Sequence, residues 1–342
     1  MKAIILVGGE GTRLRPLTYF SPKQMLPIVG TPMLERVLSN LARHGVSEVV
    51  LSMGYLPDKF LEAYPGGEVV GMKISYAVEP ERLDTAGAIR FAANFFSINE
   101  TFIVINGDVI TDLDVTALVT LHRERGAQAT IALHPVDDPS RFGVVPTHPD
   151  NRVIAFVEKP PRGEAPTNEI NAGTYVMEPS VLDFIEADKP VSVERVVFPE
   201  LAERETLFAL SDDSYWLDTG TPEAYLQAHR DILSGRRVVD LSPPAAKENW
   251  IHPSATVSPS ALLHLVTVDR DVVIGEGAIL NDVVLMPGCV VAPGARLTSC
   301  IIGPGARIGE GSDLGPTCVI GRNEVIAPAT QLAGDARVGG PQ

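Results

Sequence analysis

The sequence predicts an α/β fold with a doubly wound, mainly parallel sheet, followed by a parallel β-helix. Up to about residue 233, short apolar runs alternate with helical patterns. From about residue 250, an aliphatic residue recurs every six positions, and a glycine or alanine follows most of these residues. We therefore expect a first domain over residues 1–233, a linker over 234–250 and a repeat domain over 251–342.

Four short apolar runs in the first domain predict strands: Ala3–Val7, Glu48–Ser52, Lys73–Ala77 and Phe102–Ile105. Between them, the apolar spacing of helices is found at Met33–Arg43, Asp58–Ala63 and Thr85–Asn94. Ligands of such sheets bind at the carboxyl ends of the strands. The residues directly after Val7 and Ile105 are therefore the first candidates for a functional site.

In the repeat domain, an aliphatic residue stands at every sixth position over seven successive repeats: Ile302, Ile308, Leu314, Ile320, Ile326, Leu332 and Val338. One five-residue step separates Leu297 from Ile302. In a β-helix of hexapeptide repeats, the aliphatic residue points into a prism and the small residue permits a tight corner. A β-sandwich with a chance run of Val, Ile and Gly is the alternative.

The composition limits the function and the cellular compartment. The chain has 28 Lys and Arg against 43 Asp and Glu, a formal net charge of −15. Non-specific binding to nucleic acid or to anionic lipid needs a basic face, so we expect neither partner. The three cysteines give neither a disulfide framework nor zinc-ligand spacing, which favours a reducing cytoplasm. No convincing signal peptide or membrane-spanning run is found, so we expect a cytoplasmic protein.

The glycine-rich segment Gly8–Thr18 follows the first predicted strand, where a phosphate-binding turn belongs. It lacks the Gly-Lys-Ser/Thr of a P-loop, and Leu14 stands where a dinucleotide fingerprint has its third glycine. Before Met25, the chain has four basic residues, Lys2, Arg13, Arg15 and Lys23, and one acidic residue, Glu10. This reversal of the overall charge indicates an anionic substrate. A glycine turn with solvated basic side chains is the alternative.

Together with Ser21–Ile28, this segment resembles the signature of the sugar-1-phosphate nucleotidyltransferases, and the resemblance extends over essentially the whole chain. It implies a Rossmann-like catalytic domain and a left-handed parallel β-helix of hexapeptide repeats. It also implies Mg²⁺-dependent transfer of a nucleotidyl group from a nucleoside triphosphate (NTP) to a hexose 1-phosphate, with release of pyrophosphate.

The resemblance leaves the base and the sugar open. Leu6–Gly9, Leu83–Gly87 and Asn106–Val109 resemble the guanylyl branch, which implies GTP and mannose 1-phosphate as substrates and GDP-mannose as product. In contrast, Pro22–Ile28 resembles the thymidylyl and uridylyl branches. A glucose-1-phosphate thymidylyl-, uridylyl- or adenylyltransferase is therefore an alternative. A non-catalytic subunit that senses a nucleotide sugar is an alternative of another class.

Nucleotidyl transfer needs positioning, cations and a metal more than it needs covalent chemistry. A sugar phosphate oxygen is already anionic at neutral pH, so no general base is required. The resemblance implies Arg13 and Lys23 as catalytic cations, and Asp108 and Asp218 as Mg²⁺ ligands after two apolar runs. The nearby Asp112 and Asp114 are interpreted instead as a turn and a helix cap.

By the same resemblance, the expected substrate contacts fall into two groups. The residues expected at the nucleotide are Leu6, Gly8, Gly9, Gly11, Thr12, Glu79 and Gly87. The residues expected at the sugar phosphate are Gly143, Glu158, Lys159, Asn171 and Gly173. Glu158 would accept hydrogen bonds from sugar hydroxyls and Lys159 would hold the phosphate; an exposed ion pair at a strand end is the alternative. Phe142 stands where many relatives have tyrosine.

The repeat domain is interpreted as an assembly element. An acyltransferase of this architecture would need a catalytic histidine, and only His252 and His264 lie near the start of the repeats. The edges of a β-helix need covering, which pairing between subunits supplies. We therefore expect a homo-oligomer that assembles through the β-helix.

Overall fold

The computed structural model describes residues 1–237 and 248–341, so most of the predicted linker, 234–250, lies outside the described residues. The chain divides into two compact units. The sheet unit consists of Met1–Gly9 and Val37–Trp216, and the prism unit consists of Glu10–Arg36 and Leu217–Gln342. The segment Glu10–Arg36 therefore belongs with the β-helix rather than with the sheet, and the predicted division at 233 and 251 stays a prediction.

The first strands, in chain order, are β1 Lys2–Leu6, β2 Pro27–Ile28, β3 Thr31–Pro32, β4 Glu48–Met53, β5 Glu68–Val69, β6 Met72–Val78, β7 Phe102–Asn106, β8 Val109–Thr111, β9 Ala129–Pro135, β10 Gly143–Val144, β11 Val157–Glu158, β12 Glu169–Met177, β13 Leu207–Ser211 and β14 Trp216–Asp218. The α-helices are α1 Met33–Arg43, α2 Pro57–Ala63, α3 Asp84–Phe95, α4 Val115–Arg125, α5 Phe198–Glu203 and α6 Pro222–Leu233.

The sheet unit is built on a ten-stranded sheet in the order β11-β10-β12-β7-β1-β4-β6-β5, with β9 between β12 and β13. Its centre, β7-β1-β4-β6, is parallel throughout, as the sequence predicts. The flanking strands β5, β10 and β12 run antiparallel to their neighbours, so the complete sheet is mixed. The α/β prediction is thus confirmed, while the direction of the flanking strands was not encoded in their apolar runs.

The central strands are apolar because both faces of the sheet are covered. Ile4, Val50 and Val104 are fully buried in one core cluster with Ile89 of α3. The strands β1, β4, β6 and β7 end at one edge, where Leu6 pairs with both Ser52 and Asn106. This edge is the one that the sequence selects for ligand binding.

The strands of the β-helix are β15 Asn249–Ile251, β16 Thr256–Val257, β17 Leu262–His264, β18 Val266–Val268, β19 Val273–Ile274, β20 Ile279–Asn281, β21 Val284–Leu285, β22 Val290–Val291, β23 Arg296–Thr298, β24 Ile301–Ile302, β25 Arg307–Ile308, β26 Asp313–Leu314, β27 Val319–Ile320, β28 Val325–Ile326, β29 Gln331–Leu332 and β30 Arg337–Val338. Every third strand pairs in parallel, giving three sheets that begin at β15, β16 and β17. This is the stacking expected of the predicted left-handed β-helix.

The register confirms the five-residue step before Ile302 and adds two more. Val268 pairs with Leu285 and Leu285 with Ile302, each 17 residues on, whereas Ile302 pairs with Ile320, 18 residues on. The additional short steps are Leu263 to Val268 and Leu280 to Leu285. After Leu280, a five-residue step reaches Leu285 and a six-residue step reaches Met286, and both are apolar, so the spacing alone does not locate the short step there.

The segment Glu10–Arg36 packs on the prism. A Cβ at Gly30 would lie 2.2 Å from the ring of Trp250, so the indole lies directly against the Gly30 backbone. Burial lowers the pKa of His229 in α6 to about 3, so its ring is neutral. Its Nδ1 accepts hydrogen bonds from the Thr267 hydroxyl, 2.8 Å away, and from the Val29 amide, 3.4 Å away. The β-helix therefore supports the chain that follows Lys23.

Within residues 1–237 and 248–341, every helix is too short or too polar to cross a bilayer. All three cysteines, Cys289, Cys300 and Cys318, are fully buried thiols of the prism core. Each occupies a corner between strands, where a small side chain fits.

Candidate active site

In the sheet unit, the turn after β7 lies against the end of β1. The Gly107 amide donates to the Leu6 carbonyl over 3.0 Å. A Cβ at Gly107 would lie 2.7 Å from Val7 Cγ1, so only glycine permits this approach. Asp108 is thereby placed at the carboxyl edge of the sheet, beside the end of β1.

Glu79 directly follows β6 at the same edge and is partly buried. Its Oε1 accepts a hydrogen bond from the Ser52 hydroxyl over 3.0 Å, and its Oε2 accepts from the Leu83 amide over 3.3 Å. A Cβ at Gly8 would lie 3.4 Å from Oε1, so the carboxylate faces the glycine turn. Burial raises the pKa of Glu79, against the effect of the two hydrogen bonds.

Gly87 in α3 provides room for the chain segment 189–191. A Cβ at Gly87 would lie 2.7 Å from the Lys189 carbonyl oxygen, and the Gly87 amide donates to the Val191 carbonyl over 3.2 Å. The predicted contact of Gly87 with the nucleoside stays a prediction. Sequence reasoning missed this segment because nothing local connects positions about 100 residues apart.

Gly143, Glu158 and Lys159 come together where β10 pairs with β11. Gly143 pairs with Glu158, and a Cβ at Gly143 would lie 2.5 Å from the Phe156 ring. Lys159 Nζ lies 2.9 Å from Glu158 Oε1, and 61% of the Lys159 side chain is exposed. The ion pair of the alternative interpretation is therefore present. An incoming phosphate could replace Glu158 as the partner of this exposed ammonium group.

Asn171 and Gly173 form an irregular part of β12, where the register with β9 shifts. The Gly173 amide donates to Asn171 Oδ1 over 3.0 Å, and Asn171 Nδ2 donates to the Tyr175 hydroxyl over 2.9 Å. Gly173 has a φ of +76°, and a Cβ there would lie 2.7 Å from Asn106 Nδ2. Glycine is therefore required where β12 passes the turn that carries Asp108.

A cluster of three aromatic side chains, which the sequence analysis did not predict, lies beside the irregular part of β12. Trp216 Nε1 donates to the Ala172 carbonyl over 2.9 Å. The indole stacks on His134 at a centroid distance of 5.4 Å and meets the edge of Phe142 at 5.7 Å. The available signal was Trp216 itself, a tryptophan two residues before the predicted site residue Asp218.

In the prism unit, Gly11 begins a tight turn with a φ of +62°. The Thr18 hydroxyl donates to the Gly11 carbonyl over 2.8 Å. A Cβ at Gly11 would lie 3.0 Å from Thr18 Cγ2 and 3.3 Å from Lys23 Cβ. The turn that contains Thr12 is therefore closed against the start of the Lys23–Met25 3₁₀ turn.

The same unit brings Arg13 and Asp218 together. Arg13 Nη2 lies 3.9 Å from Asp218 Oδ2, and 56% of the Arg13 side chain is exposed. The Gly220 amide donates to Asp218 Oδ1 over 2.9 Å, and a Cβ at Gly220 would lie 2.5 Å from Arg13 Nη2. Glycine at 220 thus lets the guanidinium lie beside the carboxylate. Arg15 is instead paired with Glu10 at 2.7 Å.

The two acidic rivals of Asp108 have structural roles. Asp114 Oδ1 accepts the Ala117 amide over 2.9 Å and caps α4, so the predicted helix cap is confirmed. Asp112 Oδ1 lies 3.6 Å from Arg43 Nη2. Among the described residues no group of three or more His, Cys, Asp or Glu side chains is arranged to hold a metal ion. Mg²⁺ needs only one or two carboxylates when phosphates supply further oxygens.

Comparisons with known proteins agree over both parts of the chain. The sequence model of a family described as Nucleotidyl transferase matches residues 2–235, and that of a family described as GMPPB C-terminal domain matches residues 245–338. A mannose-1-phosphate guanylyltransferase of Mycobacterium tuberculosis is 42% identical over 287 residues, 82% of this chain and 78% of that protein. An Arabidopsis thaliana protein named probable mannose-1-phosphate guanylyltransferase 2 is 38% identical over 82% of this chain and 75% of its own length.

Solved structures similar to this chain include HddC from Yersinia pseudotuberculosis in complex with GMP-PN. That structure is 32% identical and has a TM-score of 0.57, over 66% of this chain and 97% of HddC. The family resemblance noted in the sequence is thereby confirmed.

Proposed function

Because the chain belongs to the nucleotidyl transferase family, we propose that it transfers the guanylyl group of GTP to mannose 1-phosphate, giving GDP-mannose and pyrophosphate. It is an enzyme of that family, similar to the mannose-1-phosphate guanylyltransferases. The choice of mannose 1-phosphate is supported by the names of these relatives. The choice of guanine is carried by one observation, the orientation of the Glu79 carboxylate.

Glu79 offers guanine two acceptors side by side. Each carboxylate oxygen receives one internal hydrogen bond, from Ser52 or from Leu83, and has lone-pair capacity for one more. The Watson–Crick edge of guanine presents adjacent N1–H and N2–H donors, which match two acceptors. Adenine, uracil and thymine each place an acceptor beside their donor, so an ionised carboxylate repels one of the two groups.

The phosphates of GTP are assigned to the glycine turn and to the cations of the prism unit. Gly8, Gly9, Gly11 and Thr12 supply short side chains and backbone N–H groups. Arg13 and Lys23 are proposed to neutralise the charge that develops on the departing pyrophosphate. Lys23 lies beside Gly11 and Arg13 lies beside Gly220, and a side chain at either glycine would crowd its neighbour.

Asp108 and Asp218 are proposed as Mg²⁺ ligands. Their hard carboxylate oxygens suit this ion. Asp218 is already oriented, because Oδ1 accepts the Gly220 amide and Oδ2 faces Arg13. Mg²⁺, when bound, would supply positive charge to phosphate oxygens.

The sugar phosphate is assigned to the β10–β12 region of the sheet unit. Lys159 would hold the phosphate with its exposed ammonium group, and Glu158 would accept a sugar hydroxyl once Lys159 turns to the phosphate. Gly143 and Gly173 have no side chain and would let the backbone approach the sugar ring. Close contacts with Phe156 and Asn106 already require glycine at these two positions. Asn171 is proposed to meet a hydroxyl from the same bulge.

The test is pyrophosphate release with Mg²⁺ and every pair of a nucleoside triphosphate and a common hexose 1-phosphate. We expect the highest kcat/KM for GTP with mannose 1-phosphate. Higher values for glucose 1-phosphate with dTTP, UTP or ATP would contradict the proposal. No release from any pair, combined with calorimetric binding of GDP-mannose, would favour a sensing subunit.

Glu79→Gln is expected to change the base preference. The amide replaces one acceptor by a donor, which removes one of the two matched hydrogen bonds to guanine and suits uracil or thymine better. We expect kcat/KM for GTP to fall by about ten- to a hundredfold, since a matched base contact is worth about 1–3 kcal/mol. The ratio of UTP to GTP turnover should rise.

The matched control is Glu81→Gln, an exposed glutamate two residues on. It should leave both rates unchanged. A second readout is pH, because protonation of Glu79 removes an acceptor. Since burial raises the pKa of Glu79, the acid limb of kcat/KM for GTP should lie above the ordinary glutamate pKa of about 4.3. An identical limb in Glu79→Gln would exclude Glu79 as its origin.

Lys159→Ala is expected to raise the KM for sugar phosphate by about tenfold or more and to leave the KM for GTP nearly unchanged. A cation that holds only one substrate's phosphate should affect that substrate alone. Lys59→Ala is the control, because Lys59 also forms an exposed lysine–glutamate pair, with Glu62 at 2.7 Å. Equal effects of Lys159→Ala on both substrates would assign Lys159 to the triphosphate or to the fold.

A further inference from the structure

A cleft of about 350 Å³ lies within the prism unit, outside the site described above. One wall is the chain from Leu17 to Pro32, which includes the residues on both sides of Lys23. The other wall is one edge of the β-helix. The apolar lining includes Leu17, Phe20, Met25, Met286, Pro287 and Pro304. This volume lies within the range of small-molecule pockets, about 300–1,000 Å³.

The β-helix wall is a regular column. Arg270, Pro287, Pro304 and Arg322 each lie two residues after a strand residue of the same sheet, in four successive turns. Three strand spacings of about 4.8 Å separate the first turn from the last, about 14 Å along the prism. An arginine therefore stands at each end of the column, with two prolines between them.

Both arginines are available to a ligand. Their side chains are exposed and make no hydrogen bond or ion pair with residues 1–237 or 248–341. The lining also contains one carboxylate, Asp269, which is buried and whose Oδ1 accepts the Arg270 amide over 2.7 Å. In a chain with 43 acidic and 28 basic residues, two unpaired guanidinium groups beside an apolar cleft are a local excess of positive charge.

We propose that this cleft is a regulatory site for a phosphate ester with an apolar ring, up to about the size of a nucleotide. The guanidinium fork matches phosphate oxygens in two parallel hydrogen bonds. The leucine, phenylalanine and methionine side chains of the opposite wall would cover the ring.

Occupancy of the cleft acts on the Lys23 turn. Ser21 and Met25 line the cleft, and Lys23 lies between them in the 3₁₀ turn Lys23–Met25. A ligand that contacts Met25 and Phe20 favours one conformation of this turn, so it changes the affinity for GTP or the turnover. This coupling rests on the proposed function, whereas binding in the cleft does not.

The binding test is calorimetric titration of the full chain with phenyl phosphate in the presence of saturating GTP. GTP occupies the nucleotide site, and repeating the titration in Lys159→Ala removes the proposed sugar-phosphate site, so binding that persists in this variant reports a further phosphate site. We expect one phenyl phosphate per chain, bound about tenfold more tightly than inorganic phosphate or phenol. Affinity should fall at least tenfold in Arg270→Ala/Arg322→Ala, with an unchanged unfolding temperature, and should persist in Arg307→Ala.

Arg307 is the control because it is an exposed β-helix arginine outside the cleft. Unchanged affinity in the double variant, or loss of binding in Lys159→Ala, would overturn the proposed site. Equal affinity for inorganic phosphate would remove the role of the apolar wall.

The regulatory part is tested by pyrophosphate release at GTP concentrations below KM. Phenyl phosphate should change the rate at least twofold in the wild type and in Arg307→Ala, and should not change it in the double variant. Unchanged rates despite binding would overturn the regulatory role. A protein that releases no pyrophosphate from any substrate pair would contradict the proposed function, while the calorimetric result would still decide whether the cleft binds.

Discussion

Asp108→Asn and Asp218→Asn are each expected to lower kcat by about a thousandfold while the protein stays folded. A metal ligand that stabilises transition-state charge contributes several kcal/mol, and about 4 kcal/mol corresponds to this factor. Asparagine has the shape of aspartate and keeps one acceptor oxygen, so at position 218 the hydrogen bond from the Gly220 amide is retained. The loss should therefore come from the charge and not from the turn.

The measurement is pyrophosphate release at saturating substrates across a range of Mg²⁺ concentrations, with thermal unfolding of each variant. Asp114→Asn is the control, because asparagine also caps helices and α4 should persist. Ordinary Mg²⁺-dependent rates in both variants would remove the two aspartates from the mechanism. A large fall in unfolding temperature together with the loss of activity would assign the two aspartates to the fold.

The sequence predicted those parts of the fold that depend on local patterns. The apolar runs of β1, β4, β6 and β7 predicted a parallel centre because strands covered on both faces need continuous apolar residues. The six-residue period predicted the β-helix because each turn repeats the same inward position. The two additional short steps were not predicted. After Leu280, for example, Leu285 and Met286 are both apolar, so the spacing alone does not fix the register.

The site was predicted less completely because its contacts join distant parts of the chain. Glu79 was selected as a nucleotide contact, but the Ser52 hydroxyl that orients it lies on another strand. Gly87 was selected for the nucleoside, but its close neighbour is Lys189. No local sequence pattern indicates such contacts between residues that are distant in the chain. Assembly through the β-helix stays a prediction.

The grouping of Glu10–Arg36 with the β-helix had no signal in the sequence. Gly30 and Trp250 are 220 residues apart in the chain, yet the indole lies against the Gly30 backbone. The repeat domain was interpreted from its sequence as an assembly element alone. The structure gives it a second role, because it supports the segment that carries Arg13 and Lys23.

This support leads to the second large effect, expected for Gly30→Ala. The new Cβ would lie 2.2 Å from the Trp250 ring, and Gly30 has a φ of +74°, which L side chains rarely adopt. We expect unfolding to become easier by about 3 kcal/mol, combining about 1–2 kcal/mol of backbone strain with the cost of overpacking. The β2–β3 hairpin should shift and carry the Lys23 turn with it, so kcat should fall by about a hundredfold or more.

Gly45→Ala separates the two causes, because Gly45 has a φ of +78° and nothing lies within 4 Å of its added Cβ. It should show only the backbone strain and keep its activity. In Gly30→Ala/Trp250→Ala the removed indole leaves room for the methyl group, so part of the kcat lost in Gly30→Ala should return. The cycle is measured by denaturant unfolding and by pyrophosphate release of all four proteins. If the double variant is no more active than Gly30→Ala, the indole does not transmit the effect, and the β-helix does not position Lys23 through this contact.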